Sequence, residues 1–343
     1  MSPIADLQQS DVYVSFLDSF EQRLSSSLSE LDVEVRSHAH TVALAGGKRI
    51  RPLLVHHFSN NSTTATDSVL NASVVLELVH LATLIHDDIL DGAEMRRKLP
   101  ALHRKIGAHA ALLLGDALFG YALELASRFP TTKICSIVAE ATRKTCSGEI
   151  RQTFARGRTN LSLKEYIGFI NDKTGELFKA SCEIGAYLSG ADQSIITKAG
   201  QFGLSLGINY QVFDDLIDAF MPQDNIDKTV GADWSTGKLT LPMIFLYERA
   251  SKAEILELNQ IFLAKDQPFS PDNSNSRLID LLDKYEILQS CLQYLDKNFA
   301  TTKSIIQDFP DESLRFNLEN FLNSFSDKLS KVYSLKTSNF LAV

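Results

Sequence analysis

Residues 69–91 read VLNASVVLELVHLATLIHDDILD, and the fold follows from this stretch. Val69, Ala72, Leu76, Val79 and Thr83 recur at intervals of three and four, the period of an α-helix that turns one face to a core. The stretch closes on Asp87, Asp88 and Asp91. At 100° per residue Asp87 and Asp91 lie one turn apart on the same face. Like charges at that spacing repel by roughly a few tenths of a kcal/mol on an open helix, and by more when partly buried. A partner cation would relieve them.

The same arrangement returns at Phe213-Asp214-Asp215-Leu216-Ile217-Asp218, again at the end of a long apolar run. Leu163, Tyr166, Ile167, Ile170 and Leu177 form a further helical stripe, opened by Ser162 and Glu165 in capping-box spacing. Polar, turn-rich breaks fall at 59–67, 96–105, 130–133, 156–162, 189–194, 221–238, 265–276 and 310–313. No strand-like alternation of useful length separates them. With 17 glycines and 9 prolines in 343 residues, turn-formers fall below their usual share of about 12%, which favours long helices. The reading is an all-α protein of one domain over 1–343. Its motif-bearing core spans about 40–245, and a C-terminal helical extension spans about 270–343.

Hydrophobic residues at 44% and charged ones at 22% are those of a soluble globular protein and exclude a disordered or fibrous one. The net charge of −8 weighs against a nucleic-acid binder. MSPIADLQQSD has neither the basic start nor the apolar run of a signal peptide. Residues 107–126 are the most membrane-like, but His109, Asp116 and Glu124 interrupt them. They read as a buried core helix, without stable membrane insertion. Cys135, Cys146, Cys182 and Cys291 are scattered, which fits a reducing cytoplasm.

Two DDxxD sets offer clustered hard oxygen ligands, the donors that suit Mg²⁺. A solvated acidic face would explain one such set; two, each in apolar surroundings, point to a ligand. The D-x-D-x-D-G loop of an EF-hand is absent, as is the ExxH of a ferritin-type di-iron site. Cations accompany them: Lys48 and Arg51 three apart, Arg96, Arg97 and Lys98, Lys173 with Thr174 on an expected helix, and Lys228 and Lys238 around a Gly-containing loop. Each alone reads as a surface charge. Together with Mg²⁺ they make a holder for a diphosphate. His80 lies two turns before Asp87, where a core histidine is the plainer reading. Gln211, Asp214, Asp215 and Asp218 share a row that Gly203 and Gly207 continue backwards, and packing is the plainer reading of those glycines.

GGKRIRP (46–52), HDDILD (86–91) with its following RR, KTG (173–175), QVFDDLID (211–218) and DKTVGADWSTGKLTLP (227–242), in this order, resemble the trans-isoprenyl diphosphate synthases, or polyprenyl synthetases. The resemblance runs from about Gly46 to Pro242 and implies the isoprenoid-synthase helical bundle around a deep central cavity. It implies that Lys48, Arg51, His80 and Arg97 hold the diphosphate of isopentenyl diphosphate. Asp87, Asp88, Asp91, Asp214, Asp215 and Asp218 would bind more than one Mg²⁺ together with an allylic diphosphate. Arg96, Lys173, Thr174, Gln211, Lys228 and Lys238 would contact that second substrate, with the aspartates and Lys173 as the catalytic set. RRKLPALH (96–103) departs from the family's RRGxPTxH at Lys98 and Ala101, which bears on the loop around Arg97.

The resemblance also implies a homodimer. A class I terpene cyclase would not need the Lys48, Arg51 and His80 set, and a non-catalytic subunit of a heteromeric synthase typically lacks one acidic motif. In this family the residues four and five before the first motif help set product length, and bulky aromatics there stop growth early. Thr83 and Ala82 are small, and Leu78 and Val79 further back are moderate. The expected product therefore has about thirty carbons or more, since each buried methylene adds ~0.8 kcal/mol. The alternative is a shorter geranylgeranyl or farnesyl product.

Overall fold

In the computed structural model the described residues are 11–59, 66–97, 99–220, 232–263 and 274–324. The helices in chain order are α1 (Asp11–Leu28), α2 (Val33–Leu44), α3 (Ile50–Phe58), α4 (Asp67–Leu90), α5 (Leu102–Ile106), α6 (Ala108–Ser127), α7 (Thr132–Phe154) and α8 (Leu163–Ile170). They continue as α9 (Glu176–Leu188), α10 (Gln193–Phe220), α11 (Ala232–Ser235), α12 (Leu241–Arg249), α13 (Lys252–Leu263), α14 (Ser274–Lys284) and α15 (Ile287–Ile306). Residues 312–324 are helical as well.

The stretch 69–91 forms most of α4 and its cap. Thr66 starts the helix, its hydroxyl accepting from the Val69 amide and so satisfying one of the amides that every helix start leaves unpaired. Val69, Ala72, Leu76 and Val79 are buried, and so are Val74, Val75, Leu78 and Leu81. A helix apolar on nearly all sides belongs inside a bundle. α4 accordingly runs between α1, α3, α6, α7 and α9. α10, which carries the second acidic motif, packs along α9. A Cβ on Gly203 would stand 2.5 Å from the Phe178 carbonyl oxygen, and one on Gly207 would stand 2.8 Å from Gly175 Cα. The glycine row therefore serves close helix packing.

Three features differ from the sequence reading. The stripe from Leu163 to Leu177 is not one regular helix. The capping box of Ser162 and Glu165 opens α8, but a π-helical turn, Asn171–Gly175, then intervenes before α9. Lys173 and Thr174 sit in that turn, a wide-pitch insertion of the kind often found at functional sites. The break at 96–105 holds two short antiparallel strands, β1 (Met95–Arg96) and β2 (Leu99–Pro100), followed by α5. And α6 is a core helix on one side only. It and α4 are both long and apolar enough to cross a membrane, yet α4 is mostly enclosed whereas α6 leaves Leu112 and Leu113 exposed. The break at 265–276 lies largely outside the described residues.

His56 and His57 on α3 are buried between α1 and residues 312–324. The His56 ring stacks on Phe16 with centroids 4.2 Å apart. His57 Nε2 meets the Tyr13 hydroxyl at 2.9 Å, and its ring stands edge-on to Phe321. Burial holds His56 down at about 4; burial and then His56 hold His57 at about 3. In the unfolded chain both take up a proton near 6.5. Their contribution to stability is therefore intact above that pH and is lost as pH falls from about 6.5 through 4. Between pH 7.5 and 5.0 each should withdraw roughly 2 kcal/mol. Denaturant unfolding of the parent and of His56→Phe at both pH values checks this: the acid loss should shrink by about that amount in the variant. An identical loss in both proteins would refute it.

Candidate active site

The three aspartates at the end of α4 turn to three different sets of partners. Asp87 lies 3.9 Å from Lys173 Nζ, and that ammonium also pairs with Glu149 and donates to Gln152 Oε1 at 3.2 Å. Buried Asp88 is gripped by Arg96, whose Nε stands 2.9 and 3.2 Å from its two oxygens. Asp91, the C-cap of α4, accepts from Arg156 Nη2 on Oδ1 and from Lys238 Nζ on Oδ2, each at 2.7 Å.

In the second motif, Asp215 accepts from the Tyr166 hydroxyl at 2.5 Å and from Gln211 Nε2 at 2.8 Å. Gln211 Oε1 in turn accepts from the Thr174 hydroxyl at 2.7 Å. Asp218 Oδ2 accepts from the Asp233 amide at 3.2 Å, and the Asp233 carboxylate lies 3.7 Å from Lys238. Lys238 therefore links the motifs, touching Asp91 directly and reaching Asp218 through Asp233. Arg96 lies in the field of Asp88, Asp87 and Asp214, which outweigh burial and raise its pKa. The two acidic sets, far apart in the chain, share one space lined with cations.

The charge balance of this space is incomplete. Burial pushes Asp87 up, Lys173 pulls it back, and Glu149 and Asp91 leave it above the ordinary carboxylate range. Burial and then Asp233 hold Asp215 well above its ordinary value. Asp91, where burial is overcome by Lys238, Lys173 and Arg156, falls below it.

A second cation cluster stands beside the first. Lys48 and Arg51 do not share a helix face as their spacing suggested, because Arg49 between them is the N-cap of α3 in a left-handed conformation, φ +47°. Tertiary contacts join them instead. Lys48 Nζ donates to the Tyr210 hydroxyl at 3.0 Å, and the Arg51 guanidinium lies 4.9 Å from the Phe178 ring centre. Those two rings are 5.5 Å apart. A Cβ on Gly47 would stand 3.0 Å from Arg97 Nη2, so the chain here passes close against that guanidinium. Arg97 itself takes φ +51°. Half-buried His80 is held well below its ordinary pKa by burial, then by Arg51, Arg97, Arg96 and Arg49. The cluster thus keeps a neutral imidazole among arginines. A shallow open hollow beside Asp88, Arg96 and Arg97 is walled by Leu81, Ile85 and Leu102.

Of the residues singled out in the sequence, Lys228 and Lys98 lie outside the described residues. Ala82 is fully buried. It lies one turn before His86, whose ring faces Gly115 and Phe119 of α6. Thr83 shares the face of Asp87 and donates to the His80 carbonyl at 2.7 Å. Several site residues have no functional role in the sequence reading: Arg49, Glu149, Gln152, Arg156, Tyr166 and Asp233. Arg49 was within GGKRIRP, and Glu149 and Gln152 are three apart on a polar helix face. Tyr166 reads only as a member of the apolar stripe of 163–177, and Asp233 lies within DKTVGADWSTGKLTLP.

The polyprenyl synthetase family model matches residues 33–272. The chain belongs to the polyprenyl synthetase family. This polyprenyl synthetase is 29% identical over 285 residues to the geranylgeranyl diphosphate synthase of Methanosarcina mazei, covering 82% of this chain and 86% of that one. It is 33% identical over 214 residues to heptaprenyl diphosphate synthase component 2 of Bacillus subtilis, 62% of either chain. Its structure matches that of a polyprenyl synthase from Caulobacter crescentus CB15 complexed with calcium and isoprenyl diphosphate. That match has a TM-score of 0.84 at 28% identity and covers 94% of this chain and 96% of the other. The fold is the all-α bundle that the motifs implied, and the protein is a trans-prenyl diphosphate synthase.

Proposed function

We propose that this synthase condenses an allylic diphosphate with isopentenyl diphosphate, repeatedly, in a Mg²⁺-dependent reaction, to a product of about thirty carbons or more. The observation that carries this reading is the convergence of the two aspartate sets on Lys238, Asp233 and Arg96, with the Lys48, Arg51, Arg97 and His80 cluster alongside. One space suits a diphosphate that leaves, the other a diphosphate that stays.

The residues fit a divalent cation by charge. Among the described residues no three carboxylate, imidazole or thiol groups already converge on one point, but Asp87 and Asp215 are held above their ordinary range. That surplus of hard oxygen donors wants a cation. Asp87, Asp91, Asp214 and Asp218 would hold Mg²⁺, with Asp88 and Asp215 framing them through Arg96 and through Tyr166 and Gln211. Bound there, Mg²⁺ would stabilise negative charge on the leaving diphosphate.

The chain's own residues do the rest. Lys173, Lys238 and Arg96 hold the allylic diphosphate and stabilise the charge it gains as its carbon–oxygen bond breaks. Thr174 and Gln211, hydrogen-bonded to each other beside Asp215, contact the allylic substrate. The double bond of isopentenyl diphosphate, held by the second cluster, attacks the allylic cation. The proton then lost passes to the departed diphosphate. Apolar walls keep water from the cation.

The purified chain should consume labelled isopentenyl diphosphate with an allylic primer and Mg²⁺, and chromatography of the dephosphorylated products reads their length. No consumption with any primer would refute the reading, unless a second subunit restores it, which would make the chain part of a heteromer. We further propose a homodimer, supported by exposed Leu112, Leu113 and Leu123 on α6 and Ile150 and Phe154 on α7, an apolar set larger than isolated surface residues. Light scattering at micromolar concentration tests it, and a monomeric mass counts against it. Four free cysteines support a cytoplasmic location.

A further inference from the structure

Arg156 lies in the turn after α7 and has no part in the reaction outlined above. Its Nη2 meets Asp91 Oδ1 at 2.7 Å and its Nη1 donates to the Leu90 carbonyl at 3.1 Å. Its Nε is buried and without a hydrogen-bond partner. A buried guanidinium N–H left unpaired is costly, and each such group in a native structure calls for an explanation. Arg49 makes the contrast: it spreads its donors over Glu21, Glu77 and the Ala43 carbonyl, as a purely structural arginine does.

Asp91 is also served twice. Lys238 Nζ sits on its second oxygen at 2.7 Å, so two cations share one carboxylate. Their relative placement is set by the backbone, since the Gly157 amide donates to the Gly237 carbonyl at 2.8 Å. That approach needs Gly237 twice over: its φ is +77°, and a Cβ there would stand 3.2 Å from the Gly157 nitrogen. The turn carrying Arg156 and the segment carrying Lys238 are therefore tied as one unit over the end of α4. Lys238 has Asp233 as a second partner at 3.7 Å, whereas the Arg156 guanidinium fork is only partly used, which suits an oxyanion that presents several oxygens.

We propose that Arg156 is a further ligand of the allylic diphosphate, acting as a pair with Lys238. In the substrate-free protein both rest on Asp91; when the diphosphate enters they turn to its oxygens and free the carboxylate of Asp91. The inference rests on the function proposed above, because it takes the space beside Asp91 to be the allylic one.

The test uses the full chain and the variants Arg156→Met and Arg156→Lys. Two readouts are needed: calorimetric titration with inorganic pyrophosphate in the presence of Mg²⁺, and separate KM values for the allylic and isopentenyl diphosphates. Arg156→Met should weaken pyrophosphate binding by about tenfold or more and raise the allylic KM by a similar factor, the range of one lost charge-assisted contact. The isopentenyl KM should stay within about twofold, and Arg156→Lys should recover most of the loss. Pyrophosphate affinity and allylic KM both unchanged in Arg156→Met would overturn the proposal. So would a fall in thermal midpoint with equal rises in both KM values and no rescue by lysine, the mark of a structural clamp. If the parent chain fails to turn over any primer, the functional reading falls, while the pyrophosphate titration still judges Arg156.

Discussion

Asp87→Asn and Asp214→Asn should each lower turnover by about 10²–10³-fold, the loss of roughly 3–4 kcal/mol that follows removal of one electrostatic contact to a leaving group. The exchange keeps shape and removes charge. Asp87 is the sharper case. Its nearest cation, Lys173, stands 3.9 Å away and is shared with Glu149, so the carboxylate is the least neutralised of the first motif. Burial, Glu149 and Asp91 hold it above its ordinary range. Asparagine removes that repulsion, and the thermal midpoint of Asp87→Asn should therefore be unchanged or raised while activity collapses. Steady-state turnover with Mg²⁺, alongside a thermal unfolding curve, checks both halves. Near-parental turnover in both variants would remove the metal assignment, and a fall in activity that merely tracks a fall in stability would remove its electrostatic basis.

The second large effect is on the product itself. Thr83→Phe should shorten the main product to about fifteen or twenty carbons, because position 83 shares the face of Asp87, where the growing chain departs, and a phenyl ring there removes the space that successive isoprene units would fill at ~0.8 kcal/mol per methylene. Ala82→Phe should shorten it too, but at a cost in folding. Ala82 is fully buried on the side of His86 and α6, so the larger ring overpacks that seam by about 1–3 kcal/mol. The two variants thus separate channel from core: both change the product, and only Ala82→Phe lowers the thermal midpoint by several degrees. Chromatography of dephosphorylated products decides it. An unchanged distribution in both would show that the floor of the channel is set elsewhere.

Much of this site was legible because its signals are local. The period of three and four in 69–83 placed α4, and the DDxxD spacing placed Asp87 and Asp91 one turn apart on it. Ser162 and Glu165 are three residues apart and form their capping box whatever surrounds them. The glycine row at 203 and 207 likewise reads as packing because a missing Cβ matters wherever a helix meets another closely.

What local pattern could not convey depends on where distant segments meet. Lys48 and Arg51, three apart, would share one side if their segment were helical, yet the left-handed Arg49 parts them, and it is Tyr210 and Phe178, on α10 and α9, that bring them side by side. The π-helical turn that carries Lys173 and Thr174 leaves no clear trace in composition. α6 reads as a buried core helix, and its exposed side is missed because an apolar core face and an apolar surface look alike in sequence. By itself the sequence determined the helices, the two acidic motifs and the family of reactions they serve. The tertiary structure alone decided which donor answers which aspartate, Arg156 and Lys238 on Asp91, Arg96 on Asp88 and the Tyr166 hydroxyl on Asp215. Helical periodicity acts over a few residues, whereas an ion pair depends on distance and burial, which exist only once the chain has folded.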